Sequence, residues 1–155
     1  MITTLVTGKN NLITIANLCP KLETIKYLNA DVSDEEWNEF ASKVGPKLIQ
    51  CIDVCGVKYD KIFNINNVKS LFKQLKNIEI LEYHSMENES DEKELFSYLN
   101  SCENLKSLKW YRYKAYEFDD NMICVFQRLN RLDISLRQLR RINFPLNNLK
   151  ELSIK

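Results

Sequence analysis

Leu105 to Trp110 reads LKSLKW, and its apolar residues Leu105, Leu108 and Trp110 follow the spacing L-x-x-L-x-L. The spacing returns in LETIKY at 22–27, IEILEY at 78–83, LNRLDI at 129–134 and LKELSI at 149–154. One such hexamer carries little information. Its return at intervals of about twenty to thirty residues marks a repeat architecture, in which each unit buries its apolar face against the next.

The segments between the hexamers read as return paths. ITTLVTG at 2–8 opens as a strand with Ile2 and Leu5 facing inward, and NNLITIANLC then makes a helical turn back to Leu22. In DVSDEEWNEFASKVGPKL (31–48), Ser33 and Glu36 form a capping box, and Trp37, Phe40, Ala41 and Val44 follow at helical spacing. This predicts a helix over 33–44, with Gly45 as the residue just past its end. A helix over 67–75 buries Val68, Leu71, Phe72 and Leu75. Another, capped by Ser90 or Asp91, runs to about Asn100 with Leu95, Phe96 and Leu99 on its apolar side. Asp119 and Asp120 begin a fourth, carrying Ile123, Val125, Phe126 and Leu129. SLRQLRRINFPLNN, after Ile134, has room for a single helical turn.

The second strand has two possible registers. Starting it at Leu48 turns Cys51 and Asp53 inward, whereas starting it at Ile49 turns Ile49, Ile52 and Val54 inward. A slip of one residue exchanges the faces of a strand, and burying an unpaired carboxylate costs several kcal/mol. The expectation is therefore the Ile49 register. Strands then start at 2, 22, 49, 78, 105, 129 and 149, at intervals within the leucine-rich-repeat range. The expected fold is α/β, a horseshoe-shaped leucine-rich-repeat solenoid of six to seven repeats. Its parallel sheet lines the concave side and its helices the convex side. Leu22, Ile25, Ile52, Leu81, Leu108, Trp110, Leu132 and Leu152 face inward, and residues 1–155 form a single domain.

Composition narrows the function. Lys and Arg total 22 against 21 acidic residues, so the chain lacks the basic excess of a nucleic-acid binder and the basic amphipathic face of a membrane-surface helix. No apolar run approaches the ~20 residues of a membrane span. The start, MITTLVTGKNN, lacks the basic n-region of a signal peptide. Five scattered cysteines, at 19, 51, 55, 102 and 124, do not form a secreted disulfide framework. Free thiols and a cytoplasmic or nuclear location are expected.

LCPKLETIKYL (18–28), VSDEEWNEFASKVGPKL (32–48) and LNSCENLKSLKW (99–110) resemble the repeats of F-box/leucine-rich-repeat proteins. In that family a helix with an acidic start is followed by C-P-x-L and then the strand. Cys19-Pro20 and Cys102-Glu103 occupy the Cys-Pro slot, and Gly45-Pro46 replaces it in the repeat between. The Cys or Asn that the family places shortly after each strand is absent, since Ala30, Val57, Met86, Tyr113 and Arg137 stand near that position. The resemblance implies a protein-interaction module that recognises substrates for an F-box type ubiquitin ligase. The scaffold-docking F-box would then lie outside these residues, in a longer solenoid. A structural or scaffolding repeat protein unrelated to ubiquitin is the alternative.

Catalysis and cofactors find little support. His84 is the only histidine. Cys51 and Cys55 stand four residues apart on one strand, about 13 Å, too far for a disulfide or a shared zinc; they read as small residues on the concave face. Cys19 and Cys102 read as core residues at helix-to-strand turns. No metal or cofactor is expected, and the chain is not read as an enzyme. The string WYRYKAY (110–116) suits base stacking, but Trp110 belongs to the core and the chain is not basic.

The concave rows are the candidate site. The middle row reads Val6, Lys26, Asp53, Glu82, Lys109, Asp133 and Ser153, and the row beside it Gly8, Leu28, Cys55, His84, Tyr111, Ser135 and Lys155. With strands about 4.8 Å apart, Lys26 is expected to pair with Asp53 and Glu82 with Lys109, while Asp53 and Glu82 repel. The partner-binding residues read from this pattern are Asp53, Glu82, His84, Lys109, Tyr111 and Tyr113.

Overall fold

Helix and strand alternate along the chain in a computed structural model that describes residues 12–28, 33–54, 65–84, 88–111 and 117–155. The order is α1 (Leu12–Leu18), β1 (Thr24–Leu28), α2 (Asp34–Val44), β2 (Gln50–Val54), α3 (Ile65–Gln74) and β3 (Ile80–His84), followed by α4 (Glu89–Asn100), β4 (Ser107–Tyr111), α5 (Asp120–Arg128), β5 (Arg131–Ile134), α6 (Leu136–Leu139) and β6 (Glu151–Ile154). The six strands form one parallel sheet in sequence order. The strand read at 2–8 lies outside the described residues.

The chain is α/β because its apolar spacing changes period between elements. In α3, Val68, Leu71 and Phe72 are buried along one side. In β3 and β4 burial alternates strictly. Phe72 of α3 meets Tyr83 of β3, ring centroids 5.4 Å apart. Phe96 of α4 and Phe126 of α5 both meet Trp110 of β4, at 5.1 and 5.5 Å. These helices therefore cover the Tyr83–Trp110 face of the sheet and leave the other face open. Helix packs on the next helix from α1 to α5.

Successive strands are joined in the same manner. The backbone N–H groups of Ile49 and Gln50 both donate to the Glu23 carbonyl, at 2.8 and 3.0 Å. Glu79 and Ile80 converge likewise on Ile49, Lys106 and Ser107 on Glu79, Asn130 and Arg131 on Lys106, and Lys150 and Glu151 on Asn130. Just before these residues, Leu22, Leu48, Ile78, Leu105 and Leu129 are all buried. The turns are tied across as well. Asn77 Nδ2 donates to the Pro46 carbonyl at 2.7 Å, and Cys102 Sγ to the Leu75 carbonyl at 3.2 Å. Arg128 donates to the Leu99 and Asn100 carbonyls, capping a helix end that has no basic residue in its own last turn.

Several expectations are corrected. The second strand takes the Leu48 register at its start: Leu48 and Cys51 are fully buried, Ile49 and Ile52 only partly. Cys51 stands opposite Ile25 and Leu81, in the same buried row of the sheet. The register then shifts, since Cys51 faces Leu81 but Val54 faces Tyr83. Three steps of β2 are set against two of β3, a β-bulge. The choice between two uniform registers thus gives way to a strand that changes register part-way. Leu152 is 44 % exposed because it lies on the sheet's last strand, with no further described strand or helix beside it.

The caps also differ. Ser33 accepts from the Glu36 N–H at 3.2 Å, but the Glu36 carboxylate accepts instead from the Leu12 N–H at 2.7 Å, at the start of α1. The reciprocal capping box occurs at Ser135–Gln138, on the four-residue α6. Asn88, rather than Ser90 or Asp91, caps α4, its side chain accepting from the Ser90 N–H. Gly45 has φ −48°, an ordinary right-handed conformation. Its need for glycine comes from Gln74, whose Cβ lies 2.6 Å from where a Gly45 Cβ would stand.

Candidate functional site

The open face is set by the alternation of each strand. With Leu81, Tyr83, Leu108 and Trp110 buried, Ile80, Glu82, His84, Ser107, Lys109 and Tyr111 stand on the other side. Parallel register carries the rows across. Glu82 is opposite Lys109, and Lys109 opposite Asp133. His84 is opposite Tyr111.

Two clusters result. In the first, Lys109 Nζ lies 3.0 Å from Glu82 Oε2, with both side chains partly covered. Asp133 is 4 % exposed, and Arg131 Nε lies 3.7 Å from its Oδ1, which accepts no hydrogen bond from a described residue. Arg131 also reaches Glu151, Nη1 to Oε2 3.1 Å. In the second cluster the His84 and Tyr111 rings lie 5.1 Å apart, tilted by 40°. Lys155 Nζ donates to the Tyr111 hydroxyl at 2.8 Å and stands 4.5 Å from its ring centroid. The Tyr111 hydroxyl raises the pKa of the Lys155 ammonium, aided by the negative charges of Glu82 and Asp133. The clusters are thus joined electrostatically, and charges alternate in sign along the row Glu82, Lys109, Asp133 on β3, β4 and β5.

Four of the residues read from the sequence come together here: Glu82, Lys109, His84 and Tyr111. Asp53 belongs to β2, but its side chain is outside the described set, and Tyr113 lies outside the described residues altogether. The expected Lys26–Asp53 pairing is corrected, because the register places Ile52 opposite Lys26. Cys51, expected on this face, is buried beneath the helices, and burial pushes its thiol up to about 12. Cys55 lies outside the described residues. Ile52, Ile80 and Arg131 are additions to the face, and Lys155, read in the row of His84 and Tyr111, joins the site through Tyr111. Ile52 was assigned inward by the uniform register. Ile80 and Arg131 occupy the third position of their hexamers, a row outside the two read from the sequence.

Cys19, Cys51, Cys102 and Cys124 are free thiols. Among the described residues there is no group of three His, Cys, Asp or Glu side chains that could hold a metal ion. Among them, too, no helix is long and apolar enough to cross a membrane. Comparison of the sequence with protein-family models and with curated proteins finds no match.

Proposed function

We propose that the chain is a leucine-rich-repeat solenoid that binds a protein partner on its open, concave sheet face and recognises substrates for an F-box type ubiquitin ligase. The observation that carries this reading is the recurrent seam: two adjacent N–H groups meet one carbonyl at Glu23, Ile49, Glu79, Lys106 and Asn130, always beside a buried Leu or Ile. Units joined in this way, with every helix on one side, leave a broad strand-lined surface that contributes nothing to the core. Such surfaces are where repeat proteins bind. Glu82, His84, Lys109 and Tyr111 stand at its centre, with Lys155 beside them, and the ubiquitin part rests on the Cys-Pro pattern of the sequence.

A photo-crosslinker at Ile80 would capture a partner, and titration would then measure it. Tyr111→Ala is expected to weaken binding at least about thirtyfold, the effect of an aromatic anchor worth about 2 kcal/mol. Glu39→Ala, on the helical side in α2, is expected to change affinity little. The opposite pattern would place the working surface on the helices. For the ligase reading, the captured partner should rise in abundance when the chain is removed from the cell. An unchanged level would favour the scaffolding alternative.

A further inference from the structure

On the open face, Lys109 of β4 stands between two carboxylates. Parallel register sets Glu82 of β3 opposite it on one side and Asp133 of β5 opposite it on the other. Its ammonium goes to Glu82, Nζ to Oε2 3.0 Å. Asp133 takes no part in that pair. Its side chain is only 6 % exposed, and its Oδ1 is buried with no hydrogen-bond donor among the described residues. Arg131 Nε lies 3.7 Å away, outside hydrogen-bond range, and Arg131 Nη1 is held by Glu151. The Lys155 ammonium donates to the Tyr111 hydroxyl. Buried polar groups are nearly always hydrogen-bonded, because an unmet one is costly. Here the missing donor stands on the adjacent strand, as Lys109.

The three side chains differ in access. Glu82 is 18 % and Lys109 34 % exposed, whereas Asp133 Oδ1 is sealed from solvent. An incoming group can therefore meet Glu82 but not that oxygen. Lys109 can meet both carboxylates, because neighbouring strands are about 4.8 Å apart and its charge rides on a flexible four-carbon stem. We propose, building on the concave-face reading above, that the protein partner presents a lysine or arginine that takes Glu82 from Lys109, whereupon Lys109 turns to Asp133. After the exchange each carboxylate of the row has its own cation. The arriving charge is not repelled by the one it displaces, because that one has a second seat. An acidic group is excluded by the same count. To reach the ammonium it would draw Lys109 from Glu82, and two carboxylates would then stand bare. The local field has the matching sign. The pKa of Lys155, raised first by the Tyr111 hydroxyl, is raised further by the charges of Glu82 and Asp133.

The test selects a random-peptide phage library on the full chain and discards peptides that also bind Tyr111→Ala. The survivors should depend on one lysine or arginine, and changing it to glutamate should abolish their binding. Glu82→Gln should weaken them at least about tenfold. Asp133→Asn, which removes the second seat of Lys109, should weaken them at least about threefold. In a Lys109→Met background, where nothing needs displacing, Asp133→Asn should have no effect. A merely structural role for Asp133 would weaken binding equally in both backgrounds. These substitutions keep side-chain shape closely, and circular dichroism checks that each variant is folded. Without any ligand, a crystal structure of Glu82→Gln should show Lys109 Nζ within hydrogen-bond distance of Asp133. If no peptide distinguishes Tyr111→Ala from wild type, the concave-face reading falls and this proposal with it. If Tyr111-dependent peptides need no basic residue, bind Glu82→Gln like wild type, or respond to Asp133→Asn equally with and without Lys109, the face binds but the exchange at Glu82 is overturned. A Glu82→Gln structure with Lys109 turned away from Asp133 overturns it too.

Discussion

Trp110 shows how one side chain can serve both halves of this molecule. Its ring is fully buried among Phe96, Phe118 and Phe126, and its Nε1 donates to the Glu92 carboxylate at 2.6 Å. Spacing alone placed the ring in the core. The buried glutamate was not legible, since Glu92 sits in the acidic first turn of α4, where carboxylates ordinarily face water. Cys51 gives a measurable consequence at this scale. Its thiol ionises near 9.0 in an unfolded chain and near about 12 when buried. The folded state therefore holds its proton longer. The contribution is complete below pH 9.0 and is lost as pH rises toward 12, by about 1.4 kcal/mol per pH unit for one group. Urea midpoints at pH 8 to 11 should fall more steeply for wild type than for Cys51→Ala. At pH 8 a thiol reagent should modify exposed Cys124 at once, and buried Cys51 and Cys102 only as the chain unfolds. Rapid native-state labelling of Cys51 would contradict its placement.

Elements were legible where apolar spacing was unbroken. LKSLKW and IEILEY admit a single register, and the structure adopts it. LIQCIDV at 48–54 offers consecutive apolar residues and no such choice, and a bulge shifts register without leaving a mark in composition. The charge argument let the cost of burying Asp53 choose the Ile49 register, and it assumed a strand with one register throughout. Gly45 was identified by position and misread in cause. A helix-end glycine usually supplies a left-handed φ; this one supplies space for Gln74. Propensity favours Ala over Gly in a helical conformation by up to ~1 kcal/mol. The steric conflict at 2.6 Å is with a Cβ, which cannot swing aside, and overpacking of this kind costs about 1–3 kcal/mol. Gly45→Ala should thus be destabilising on balance. In a double-mutant cycle Gln74→Gly should cost less in the Gly45→Ala background than in wild type. Additive effects would mean that α2 and α3 do not pack as closely as described.

At the scale of the whole molecule, the sheet order and the open face could be read from the sequence because both follow from alternation and period. Glu82–Lys109 was legible for that reason. The Lys155–Tyr111 contact was not, because it spans β4 to β6 across an intervening strand, a reach that depends on side-chain length rather than on register. The seam of converging N–H groups has a mechanical consequence. Each strand bonds only to the strands before and after it, and the carbonyls of the seam stand 24 to 30 residues apart. Among the described residues no backbone pairing joins strands that are not neighbours, so under tension applied to the two ends no long-range clamp there must break first. The chain should peel from an end, one strand and helix per step, each step releasing about 80–110 Å of contour length at 3.3–3.6 Å per residue. Optical-tweezer extension traces should show a ladder of short ruptures at similar low forces; a single rip freeing the entire chain would mean that its parts are clamped together by contacts beyond nearest neighbours.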